Sequence, residues 1–156
     1  MPVKPIPDGY HTVTPYLYIK GAASAIEFYK KAFGAVELFR FPGPNNCIMH
    51  AEIKIGDSPI MMADEFPQMG VLGPQTRGGA TSSILLYVPD VDALAKRAEA
   101  AGATVVKPLA NQFYGDRSAT FADPFGHQWT IATHVEDVSP EELQKRSEAM
   151  MKQNCG

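Results

Sequence analysis

His50 and Glu52 stand two residues apart in a run that alternates apolar and polar side chains. Met49, Ala51, Ile53 and Ile55 fall on one side, His50, Glu52 and Lys54 on the other. On a strand that spacing puts the imidazole and the carboxylate on one face. Such a neighbouring pair can serve as an acid/base couple or as two ligands of a metal. It can equally be a polar strand face that pairs with its neighbours and with water. Asp116 and Arg117 form a second charged set, at a strand start expected on a pocket rim. The guanidinium fork suits a carboxylate or phosphate, or a partner within the chain that would hold the loop. Tyr114 beside them either closes a pocket or packs in its own loop. A third set, Tyr16, Tyr18 and Tyr87 with Met61, Leu85 and Gln128, falls on inward positions. Aromatic walls with a few polar tips describe a small-molecule site, or a barrel filled by its own side chains.

The elements that must position these groups follow from periodicity. Residues 1–9 contain Pro2, Pro5 and Pro7 and form an extended arm. Thr12 to Ile19 alternates as a strand, with Pro15 favouring an edge or bulge because it has no backbone donor. Ala22 to Phe33 carries a helical stripe ended by Gly34, and a strand over Val36 to Phe41 runs into a Pro/Gly/Asn loop. Strands over Cys47 to Ile55 and Pro59 to Asp64 complete a βαβββ unit, with Asp64-Glu65 as a solvated strand end. The glycine- and proline-rich stretch 66–80 is a linker or flap without regular structure.

The order then repeats. A strand over Thr81 to Val88 precedes a helix over Val91 to Ala101, capped by Asp90 and ended by Gly102. A strand over Thr104 to Leu109 leads to a hairpin turning at Asp123-Pro124-Phe125-Gly126. In the hairpin, Arg117, Ala119 and Phe121 share one face with Trp129 and Ile131. Ser118, Thr120 and Ala122 share the other with Gln128, Thr130 and Ala132. Trp129 and Phe28 belong to the core, and His127 is structural. His11 and His134, near strand ends, carry no assignment. Leu17-Tyr18-Ile19 matches Leu86-Tyr87-Val88, and Gly34-Ala35 matches Gly102-Ala103, at nearly one offset. The fold class is therefore α+β: two βαβββ modules forming an incomplete barrel around a concave pocket, with helices outside. The divisions are an arm at 1–9, modules at 10–65 and 81–135, the linker between them, and a C-terminal helix and tail at 136–156. Ser139-Pro140-Glu141-Glu142 opens that helix, whose thin apolar stripe suits packing or dimer contact.

Composition narrows the function. The 156 residues are 45% hydrophobic with net charge −3, enough for a core and without a basic cluster for nucleic acid. No apolar run is long enough to cross a membrane, and the N-terminus lacks a secretory stretch. Cys47 and Cys155 have no CxxC spacing and are expected as reduced thiols in a cytoplasmic protein. Neither a glycine-rich phosphate loop, nor a nucleophile elbow, nor HExxH is present.

The paired modules, with AIEFYKKAFGA at 25–35 and DPFGHQWTI at 123–131, resemble the vicinal oxygen chelate superfamily of glyoxalase I, bleomycin-resistance proteins and extradiol dioxygenases. HAEIKIGDSPIMMADE at 50–65 and the GDR…DPFGH pattern resemble its PhnB-like branch. The resemblance covers nearly residues 10–135. It implies four metal-ligand positions on the first and last strand of each module, which in this sequence are Thr14, Met61, Ser83 and Thr130. Alternation also puts all four on the inner face. Hydroxyls and a thioether are poor donors for a divalent ion, so no metal and no cofactor is expected. The resemblance also implies homodimers with pockets completed across the interface. The expected function is a metal-free protein holding a planar or aromatic ligand among Tyr16, His50, Met61, Tyr87 and Gln128. The alternative is a lyase or isomerase that uses His50 and Glu52.

Overall fold

A computed structural model describes residues 2–154; Cys155, expected as a free thiol, lies outside the described residues. The chain runs β1 (Tyr16–Ile19), α1 (Ala22–Phe33), β2 (Val36–Pro42), β3 (Ile48–Ile55) and β4 (Ser58–Asp64). After a short helix α2 (Pro74–Arg77) it repeats as β5 (Ser83–Tyr87), α3 (Val91–Ala101), β6 (Thr104–Asn111), β7 (Asp116–Ala122) and β8 (Gln128–His134). A last helix, α4, spans Pro140–Asn154. The strands form two four-stranded sheets of the same order, β1-β4-β3-β2 and β5-β8-β7-β6. In each, the first strand lies parallel to the last, and the last three run antiparallel. The expected fold class is thus observed, with open sheets.

Alternation explains which face is buried. Leu17 and Ile19 of β1, Ala51 and Ile53 of β3, Ile60 and Met62 of β4, and Ala119, Phe121, Trp129 and Ile131 of the second sheet all enter one core. Removing this apolar surface from water is the main term that holds the fold. α1 packs on the first sheet, α3 on the second, and the two helices on each other. Trp129 of β8 lies 5.0 Å from Tyr29 and 4.8 Å from Phe33, ring centre to ring centre, so α1 also meets the second sheet. Asp123 fastens this junction. Its Oδ2 accepts from Tyr29 Oη at 2.6 Å and Trp129 Nε1 at 2.9 Å, and its Oδ1 accepts the amides of Phe125 and His127. The acidic residue of the DPFG turn is therefore spent on the fold.

Helix ends follow their sequence signals. Asp90 Oδ1 accepts from Ala93 N at 3.0 Å, and Gly34 and Gly102 close α1 and α3 at φ 68° and 111°, where a side chain would be strained. Ser139 Oγ accepts from Glu142 N at the start of α4. None of the α4 residues is buried; Arg146 ties it back through Glu136 and the Phe113 carbonyl.

Three local expectations change. Strand β1 starts at Tyr16, not Thr12, because Pro15 offers no N–H; its carbonyl still accepts from Met61 N at 2.9 Å. The linker holds one regular piece, α2, with Pro74 in its first turn and Gly78 at its end. Asp64 is not a solvated strand end: Oδ1 accepts the amides of Gly21 and Ala22 at the start of α1, and Oδ2 that of Ile48. Glu65 accepts from Gly73 N.

Candidate functional site

The faces of the two sheets turned away from the core carry most of the expected site residues. On the first sheet, Tyr16 of β1 and His50 of β3 meet at 2.7 Å between Oη and Nδ1. His50 Nε2 lies 3.0 Å from Glu52 Oε1. A phenol donating to Nδ1 leaves the proton on Nε2, which donates to the carboxylate. Tyr16 and Phe39 flank the imidazole, with ring centres 5.4 and 5.7 Å away, and Tyr18 and Phe41 extend the aromatic surface. Glu52 is 5% exposed, and its Oε2 is buried with no partner among the described residues. Burial holds its carboxyl above the usual range. Glu52 and Met61, cross-strand partners, line a cavity of about 450 Å³ together with Thr14, the arm residues Pro5, Ile6 and Pro7, and Tyr10 and His11 just after the arm.

The second sheet has a matching tyrosine, Tyr87 of β5. Its hydroxyl donates to Asp116 Oδ2 at 2.8 Å, and Asp116 Oδ1 accepts from His134 Nδ1 at 2.8 Å. His134 Nε2 donates in turn to Asp137 at 2.9 Å. Burial by itself would raise the Asp116 carboxyl; the bonds from His134 and Tyr87 outweigh it and hold the group below its ordinary value. His134 is raised by the bonds to Asp116 and Asp137. Ser83 and Thr130 stand four residues before Tyr87 and His134 on β5 and β8, their hydroxyls 3.4 Å apart, and Thr130 also meets Thr120 at 3.0 Å. Gln128 pairs in register with Ser83 at the start of β8.

Two expected site residues are placed elsewhere. Arg117 shares the core-side face with Ala119 and Phe121; its Nε and Nη2 grip Asp92 of α3, each at 2.8 Å, and Nη1 meets Asn111. The rim role is replaced by a strand-to-helix tie. Tyr114 packs edge-on against Phe113, 5.3 Å away, within its own loop. Of the residues expected in one pocket, Tyr16 and Tyr18 line a cavity that reaches Ser82 and His127 of the second module. Tyr16, His50 and Met61 stand on one sheet and Tyr87 and Gln128 on the other, and Met61 and Tyr87 line different cavities. The arm's part in the site was not legible in sequence, since three prolines fix an extended form but not its direction.

The residues at the four inherited ligand positions do not fit a divalent ion. Thr14 and Met61 belong to one sheet's cavity, Ser83 and Thr130 to the other sheet, and the donors are three hydroxyls and a thioether. His50 has both ring nitrogens occupied. Among the described residues, no group of three or more His, Cys, Asp or Glu is placed to hold a metal.

Two βαβββ modules whose sheets turn aromatic faces away from the core define a paired-module α+β protein. The model of the Glyoxalase/Bleomycin resistance protein/Dioxygenase superfamily matches residues 10–131. An uncharacterized protein of Mycobacterium bovis is 46% identical over 135 residues, 85% of this chain and 89% of the relative. The crystal structure of TioX from Micromonospora sp. ML1 superimposes with a TM-score of 0.65 at 26% identity, covering 80% of this chain and 99% of that one. A PhnB protein from Bacillus cereus shares the fold, with a TM-score of 0.59 at 14% identity over 79% of this chain and 99% of its own. The chain belongs to the glyoxalase/bleomycin resistance protein/dioxygenase superfamily. None of its helices is long and apolar enough to cross a membrane among the described residues.

Proposed function

We propose that the protein is a small-molecule receptor that works without a metal and holds a planar or aromatic ligand on the face of the first sheet turned away from the core. The observation that carries this reading is the aromatic cradle: Tyr16 and Phe39 on either side of His50, next to the cavity that Glu52 and Met61 share with the arm. Aromatic walls supply contact area, and one positioned polar chain fixes orientation. The ligand pocket is completed by a second copy. Tyr16, Phe39 and Phe41 are 42%, 40% and 60% exposed, and Leu85 and Tyr87 of the second sheet are 48% and 64% exposed, which supports mutual cover in a homodimer. The cytoplasm is the proposed location, in keeping with the expected free thiols.

Metal analysis of protein purified without chelator, together with native mass spectrometry, tests this reading. A dimer without stoichiometric metal, carrying or accepting a small aromatic compound, is the expected result; one divalent ion per chain contradicts it. The unpartnered Glu52 oxygen favours one second reading, a lyase or isomerase with Glu52 as base. If Glu52→Gln abolishes turnover of a substrate while leaving the circular dichroism spectrum unchanged, that reading gains.

A further inference from the structure

We infer that Glu52 sets the ligand's chemistry: the arm-covered cavity selects planar molecules that present an N–H or O–H donor, which Glu52 Oε2 accepts. This rests on the receptor reading and deepens it. Glu52 Oε1 is already committed, 3.0 Å from His50 Nε2, and His50 is held from behind by the Tyr16 hydroxyl. The carboxyl is therefore fixed in orientation by a chain of two hydrogen bonds anchored on β1 and β3. Its second oxygen exposes essentially no surface and meets no donor among the described residues. A buried carboxylate oxygen left unpaired is costly, and the cost is recovered by whatever brings a donor to it.

The cavity that Glu52 lines is an open cleft bounded by parts able to yield. Met61 contributes a flexible thioether, and residues 5–7 of the arm belong to no helix or strand. A donor-bearing ring that enters beside Met61 can displace these and reach Oε2, while its face lies against Pro5, Ile6 and Tyr10. An anionic group there would oppose the carboxylate, so carboxylates and phosphates are disfavoured. Asp116, the buried carboxylate of the second sheet, has both oxygens occupied and cannot play this part.

Indole and benzofuran test the inference, since they match in size and shape and differ by an N–H in place of a ring oxygen. Dissociation constants are measured by NMR titration of the full-length protein and of Glu52→Gln and Glu52→Leu. The wild type is expected to bind indole about tenfold or more tighter than benzofuran, the range of a hydrogen bond to a charged group. Both variants are expected to lose this preference, the Gln variant because its amide oxygen takes the place of Oε1 beside His50 and its NH₂ group takes that of Oε2. Equal affinity in the wild type, as when a fixed water already serves Oε2, overturns the inference and leaves the receptor reading standing. A preference that survives in Glu52→Leu overturns it as well. Binding of neither compound contradicts the receptor reading itself, and this assignment falls with it.

Discussion

The two sheets are built to one plan, yet burial raises the buried carboxyl of the first while hydrogen bonds lower that of the second. Each presents a tyrosine from its first strand to a network containing one histidine and one buried carboxyl: Tyr16, His50 and Glu52 on the first sheet, Tyr87, His134 and Asp116 on the second. In the first, histidine sits in the middle and the carboxyl at the end, with an oxygen to spare. In the second, the carboxyl sits in the middle and is saturated. Order within the chain of bonds thus decides whether a buried acid has both oxygens occupied or keeps one without a partner among the described residues.

Removing each acid in turn separates the two sheets. Asp116→Leu strips two hydrogen bonds from a satisfied network and should lower unfolding free energy in urea by about 1–3 kcal/mol. Glu52→Leu removes an acid that already lacks one partner and should change stability by less than about 1 kcal/mol. Equal losses would mean that Glu52 is as fully satisfied as Asp116.

The pH dependence of stability sharpens the same contrast. Glu52 is raised by burial, so the folded chain takes up its proton at a higher pH than the unfolded chain does. Its contribution is full at low pH, falls as pH rises from the ordinary carboxylate range through the raised value, and is level above. Glu52→Gln should therefore gain on the wild type across that window. Asp116 is lowered, so its contribution is present above the ordinary carboxylate range and lost as pH falls through the lowered value. The deficit of Asp116→Asn should accordingly shrink on acidification. Urea titrations over a pH series check both signs, and parallel profiles would contradict the assignment. The smallest effect is expected from Arg117→Gln, which breaks an exposed tie to Asp92 and should leave indole affinity unchanged within error.

Much of this was legible in the sequence, and the rest was not for identifiable reasons. Alternation placed Ala119, Phe121, Trp129 and Ile131 in the core, and the repeated strand–helix signals gave both modules. The same alternation put Arg117 with Ala119 and Phe121, on the side where Asp92 of α3 meets it; its rim role conflicted with that pattern. His50 and Glu52 were visible as a pair, but the bond to Tyr16 joins residues 34 apart and depends on strand order and register, which periodicity does not carry. Asp64 looked like a strand end because its value lies in orphan amides of the distant α1 and of β3. How the two faces divide the inward residues depends on which layer the helices occupy, and that follows from the shared contact of Trp129 with α1.

The central claim, that the first sheet's face receives the ligand and the second's is structural, is tested most directly by following methyl signals during an indole titration. Saturable shifts are expected at Met61 and Ile6, with the Leu85 and Ala132 methyls following only to the extent that a partner copy covers the site. Shifts confined to Leu85 and Ala132, with Met61 and Ile6 unmoved, would contradict it.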